Sequence, residues 1–126
     1  MGYRILVVDD HPDAAEIACM LLESFGHDCR AAVTGGDGLR EAIGFEPEVA
    51  ILDIGLPDIS GYEVARQLRA RYGAAIYLVA VTGWGQPEDQ ERALAAGFDR
   101  HVLKPATAAM LVDVLAGVDR RRAAAH

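Results

Sequence analysis

Ile5-Leu6-Val7-Val8-Asp9-Asp10 and Val49-Ala50-Ile51-Leu52-Asp53 are two short apolar runs, and each stops at carboxylates. Four consecutive aliphatic residues bounded by polar ones read as a strand buried on both faces, as in a parallel sheet. Both runs therefore deliver acids to the carboxyl edge of one sheet, where open α/β sheets bind ligands. Three like charges gathered there repel. A hard divalent cation, with its demand for oxygen ligands, answers that repulsion. The residues alone announce a Mg²⁺-type carboxylate site.

Working outward, strand and helix signals alternate. Residues 13–25 carry Ala14, Ala18, Leu21, Leu22 and Phe25 at helical spacing, with Gly26 as a stop. A weaker strand is expected over 29–33, and Thr34 caps a helix running through Ile43. Ser60-Gly61-Tyr62-Glu63 is a capping box opening a helix that ends at Gly73. Residues 76–81 form the next strand, Pro87 opens a helix closed by Gly97, and Val102-Leu103 mark a short last strand. Thr107 caps a final helix through Met110, Leu111, Val114 and Leu115. This alternation predicts a single-domain α/β fold, a doubly wound five-stranded parallel sheet with five helices on its two faces. The domain is placed at residues 3–119, with 120–126 read as a frayed tail.

At 126 residues the chain is large enough for one domain with a real core. A net charge of −7 and a pI near 4.9 argue against a nucleic-acid-binding surface. Arg120-Arg121-Arg122 reads as a solvated helix end rather than a docking patch. Cys19 and Cys29 lack ligand-like spacing and fit a reduced, cytoplasmic setting, with Cys19 a buried small hydrophobe. The uncharged stretch over residues 74–81 is far short of the ~18 residues that suggest a membrane helix, so no membrane contact is expected of this domain. No signal peptide fits, because Asp9 and Asp10 interrupt the start.

Taken strand by strand, the carboxyl edge collects Asp9 and Asp10, then Asp53, then Thr82, then Lys104 followed by Pro105. Acids suit a cation, while a hydroxyl and an ammonium suit phosphoryl oxygens. This constellation resembles the receiver domain of two-component response regulators. The resemblance runs from Ile5 to about Val118, on Asp9-Asp10, the loop Asp53-Ile54-Gly55-Leu56-Pro57-Asp58-Ile59-Ser60-Gly61, Thr82-Gly83 and Lys104-Pro105. It implies the flavodoxin-like strand order 2-1-3-4-5. It also implies that Asp53 accepts a phosphoryl group from a histidine kinase or a histidine phosphotransfer protein. On the same resemblance Asp10, Asp9, Asp53 and the Gly55 carbonyl serve Mg²⁺, Lys104 and Thr82 hold phosphoryl oxygens, and the Lys104-Pro105 bond is cis. Catalysis is then limited to the domain's own phosphorylation and dephosphorylation, and self-association is limited to a weak homodimer.

Two positions depart from the pattern or add to it. His101 stands three before Lys104, where the family carries an aromatic switch residue, so His101 and Thr82 are the expected switch pair. Trp84 follows Thr82 by two positions and is expected to report on its movement. The segment from Thr82 to Pro105 resembles receivers attached to hybrid histidine kinases. His11, His27 and His126 show no ligand spacing and read as surface residues. Three other functions compete. An aspartyl-nucleophile phosphatase needs a second acid where Gly55 stands, and a flavodoxin-like carrier needs a Ser/Thr/Gly-rich loop where Asp9-Asp10-His11-Pro12 stands. The third is a docking module of the same fold without phosphorylation, against which the full set of chemical residues speaks.

Overall fold

A computed structural model describes residues 2–83 and 87–124. The strands are β1 (Arg4–Val8), β2 (Asp28–Ala32), β3 (Val49–Asp53), β4 (Tyr77–Thr82) and β5 (Arg100–Leu103). The helices are α1 (Pro12–Ser24), α2 (Gly35–Phe45), α3 (Gly61–Tyr72), α4 (Pro87–Ala96) and α5 (Ala108–Ala124). All five strands pair in parallel, in the order β2-β1-β3-β4-β5. The expected architecture and strand order are those observed.

Period-two alternation divides each central strand between two cores. Ile5, Val7, Val49, Ile51, Val79 and Val81 pack on α1 through Ala15, Ala18 and Leu22, and on α5 through Leu111, Val114 and Val118. Leu6, Val8, Ala50, Leu52, Leu78 and Ala80 face the other way, onto Ala42, Val64, Leu68, Ala93 and Phe98. Burial on both sides is why β1 and β3 read as unbroken apolar runs. The edge strand β2 is mostly exposed, and its sequence pattern is correspondingly faint.

Local signals set most boundaries. Thr34 Oγ1 accepts from the Asp37 amide, Ser60 Oγ from the Glu63 amide and Thr107 Oγ1 from the Met110 amide. Only half of the expected capping box forms, because the Glu63 carboxylate turns outward to Arg66 and Gln67. Positive φ at Gly26 (93°) and Gly97 (102°) closes the ends of α1 and α4. Helix α2 passes the expected stop at Ile43 and reaches Phe45, whose ring is buried in the core; Glu46 then takes the left-handed turn.

Two readings are corrected. Cys19 and Cys29 are not separate reduced thiols: they form a disulfide that ties α1 to β2, with Cα atoms 5.4 Å apart. Parallel pairing of β2 beside β1 brings the two cysteines together across ten positions of sequence, which spacing alone does not show. Residues 120–124 are not frayed but continue α5. Arg121 pairs with Asp99 at 2.6 Å and lies over the Tyr77 ring, while Arg122 pairs with Glu48 at 2.5 Å and lies over Tyr3. The Tyr3 hydroxyl donates to Asp119, so the first strand's entry and the last helix meet at the amino edge of the sheet. Among the described residues no helix is long and apolar enough to cross a membrane.

Candidate functional site

At the opposite, carboxyl edge, β1 ends at Val8 and releases Asp9 and Asp10 into the loop before α1. Asp53 is the last residue of β3, in register with Val81 of β4, and only 7% exposed. The Gly55 amide donates to Asp53 Oδ1 at 2.9 Å, and Lys104 Nζ donates to Oδ2 at 2.8 Å. The same ammonium lies 3.8 Å from Asp9 Oδ2. Partial burial pushes the Lys104 pKa down, but the hydrogen bond and charge of Asp53, with the charges of Asp9 and Asp10, outweigh it and leave the pKa raised.

The loop after Asp53 is held from two directions. A Cβ at Gly61 would lie 2.4 Å from the Asp53 carbonyl oxygen, so only glycine lets α3 start so close to the strand end. Asp58 reaches across to the start of α2 and accepts from the Gly35 and Gly36 amides, each at 2.8 Å. Donation from the Gly36, Ile59 and Gly35 amides drops its pKa to about 2. Asp58 thus fastens the segment carrying Gly55, a positioning role that the sequence reading missed. The only local hint was its place directly after Pro57 in the loop that leads to Ser60-Gly61.

Asp9, Asp10, Asp53 and His11 bring one ligand atom each within 4.8 Å of one another. The acids were expected here; His11 was not. Read as a mere surface residue, its ring is indeed largely exposed, yet its Nδ1 lies 3.1 Å from Asp10 Oδ1 and 3.3 Å from Asp9 Oδ1. Its position directly after the acid pair was the available clue. Three carboxylates face the single Lys104 ammonium, which leaves two formal negative charges. A divalent cation held by oxygen donors fits that donor set.

Thr82 ends β4, 5% exposed, and its carbonyl accepts from the Lys104 amide at 2.8 Å. His101 pairs with Ala80, two residues before Thr82, so alternation puts Thr82 and His101 on the Ala80 face of the sheet, toward α3 and α4. Among the described residues His101 Nε2 is buried without a hydrogen-bond partner. The Lys104-Pro105 bond is cis. Trp84 and His126 lie outside the described residues.

Residues 5–116 match the response regulator receiver domain family. The chain belongs to that family. Among curated relatives, this receiver domain is 36% identical over 123 residues to the transcriptional regulatory protein KdpE of Mycobacterium tuberculosis, covering 97% of the chain and 54% of KdpE. It is 33% identical over 103 residues to the DNA-binding dual master transcriptional regulator RpaA of Synechocystis, covering 81% of the chain and 43% of RpaA. It is 32% identical over 112 residues to the sensor histidine kinase RcsC of Salmonella typhimurium, covering 89% of the chain and 12% of RcsC. The receiver domain therefore spans about half, or much less, of these relatives. A response regulator receiver domain from Methanospirillum hungatei superposes with a TM-score of 0.90 at 26% identity, each chain fully covered. A BeF3-activated DrrB receiver domain superposes with 0.81 at 30% identity, over 95% of this chain and 97% of that one. The domain is a receiver of two-component signalling, and the phosphatase and electron-carrier alternatives fall away.

Proposed function

We propose that this receiver takes a phosphoryl group onto Asp53 from a phosphohistidine of a histidine kinase or phosphotransfer protein. The observation carrying this reading is the Asp53 carboxylate, with Lys104 Nζ 2.8 Å from one oxygen and Asp9 and Asp10 gathered beside it. In the transfer a carboxylate oxygen forms a bond to phosphorus, the bond from phosphorus to the imidazole nitrogen breaks, and that nitrogen keeps the electron pair. Lys104 leaves Asp53 Oδ2 and takes a phosphoryl oxygen, so its charge stays where negative charge accumulates. The Thr82 hydroxyl donates to a second phosphoryl oxygen, and the Gly55 amide keeps Asp53 oriented. Asp10, Asp9, Asp53 and the Gly55 carbonyl would hold Mg²⁺, which supplies charge neutralisation to the phosphoryl group when bound.

The output is a change of protein contacts. Leu94 of α4, Leu103 of β5 and Val112 of α5 are 69%, 54% and 54% exposed, an apolar series on the elements around His101 that suits a partner protein. We place the domain in the cytoplasm, where phosphohistidine donors are made from ATP. The thiol-reducing conditions there would open the Cys19–Cys29 bond. Incubation with acetyl phosphate and Mg²⁺ tests the core of the reading. One labile adduct is expected in wild type and none in Asp53→Asn; an adduct of equal yield in the variant would overturn the assignment.

A further inference from the structure

We propose that Cys19 and Cys29 are a redox-active pair whose disulfide, opened and remade by small thiols and disulfides, sets the rate of phosphorylation at Asp53. The inference rests on the phosphoacceptor reading of Asp53 and adds a regulator to that site. Cys19 is 7% exposed, whereas Cys29 is only partly buried, and both line a groove of about 560 Å³ between α1, β2 and α2. A reagent from solvent therefore meets Cys29 first. Its thiolate bonds to Cys29 Sγ, the bond between the cysteines breaks, and Cys19 Sγ keeps the electron pair and takes a proton. A second thiol then displaces Cys29, which leaves as a thiol, and the two reductant sulfurs depart joined as a disulfide. The reverse two-electron exchange, with a small disulfide as oxidant, restores the bond.

The pair grips both flanks of the acid loop. Asp9 follows β1, and its amide donates to the Ala32 carbonyl at the end of β2 at 3.1 Å. Asp10 stands two residues before Pro12, where α1 begins. The disulfide joins α1 to β2, so the two anchors of the loop are tied to each other covalently. On its other side α1 is seated less firmly. Ala14 and Ala18 face Ala106 and Leu111 across a cavity of about 340 Å³ that reaches Asp9 and Asp53. With the bond open, α1 is held to the sheet by its apolar face alone, through Ala15, Ala18 and Leu22, and has room to shift toward α5. Asp9 and Asp10 move with its first turn. Phosphoryl transfer gains from carboxylates already in place, so the closed bond favours it.

The test compares oxidised with dithiothreitol-reduced protein, each shown folded by circular dichroism, using acetyl phosphate at subsaturating Mg²⁺. The oxidised form should be phosphorylated about threefold faster or more, and should bind Mg²⁺ more tightly by a similar factor. A Cys19→Ala/Cys29→Ala double variant should match the reduced form with or without reductant. Equal rates in the two states of wild type, or a reductant response that persists in the double variant, would overturn the inference. Glutathione disulfide checks the point of entry: it should label Cys29 in Cys19→Ala and leave Cys19 unlabelled in Cys29→Ala. Equal or greater labelling of Cys19 would overturn the route through Cys29. The underlying reading fails on a different result, a phosphoryl adduct that survives Asp53→Asn in either redox state.

Discussion

Lys104 touches Asp53 and stands near Asp9, and that arrangement makes its contribution dependent on pH in a definite direction. Its pKa is raised in the folded protein, so the stabilisation is complete below the ordinary lysine value of about 10.4 and is lost as pH climbs through the higher folded value. The stability difference between wild type and Lys104→Met, from urea unfolding, should therefore hold steady from neutral pH and shrink only above about pH 10.4. A difference that persists undiminished to the alkaline limit would mean the ammonium is not the cause. Asp58 has the opposite sign. With a folded pKa of about 2, its stabilisation is present above about pH 4 and fades as pH falls toward 2. Wild type should lose its advantage over Asp58→Asn in that window and nowhere else. Asp9, Asp10, Asp53, Thr82 and Lys104 were legible because each follows a recognisable strand. The grip of Asp58 on Gly35 and Gly36 spans 23 and 22 positions and leaves no trace in periodicity.

Helix α1 and strand β2 are joined covalently through Cys19 and Cys29 across ten positions. On the chain-entropy account a loop of that size contributes about 3 kcal/mol. A thiol reductant should lower the unfolding free energy of wild type by about that amount and leave a Cys19→Ala/Cys29→Ala double variant unaffected. Insensitivity of the wild type would mean that the bond constrains little in the unfolded chain. Helix α3 offers a separate check. Ser60→Ala should cost about 1 kcal/mol, since Ser60 caps the Glu63 amide, whereas Glu63→Ala should cost clearly less, since its carboxylate meets exposed Arg66 in solvent. Equal losses would restore the reciprocal box that the sequence pattern predicts. Helix starts were readable from Thr34, Ser60 and Thr107 because capping is a local event. The end of α2 was not, since burial of Phe45 overrides the glycine one residue earlier.

Across the whole molecule, four strand ends that are far apart in sequence converge on one pocket, and the partner surface proposed on α4, β5 and α5 carries the exposed Leu94, Leu103 and Val112. Beryllofluoride with Mg²⁺ should shift NMR signals of His101 and of residues 87–96 in wild type and leave them in place in Asp53→Ala. Shifts confined to the strand-end loops would separate the pocket from that face. The sheet order was legible only through family likeness, because alternation of strands and helices fixes parallel pairing but leaves the order of neighbours open. Tyr3 and Asp119 meet at the pole opposite the pocket, with Arg122 on Glu48 beside them. A polypeptide entering at residue 3 and leaving near residue 122 therefore passes through nearly one point in space. The receiver can be spliced as a cassette into a surface loop of an unrelated host, hanging from it by paired strings with its reactive mouth facing outward.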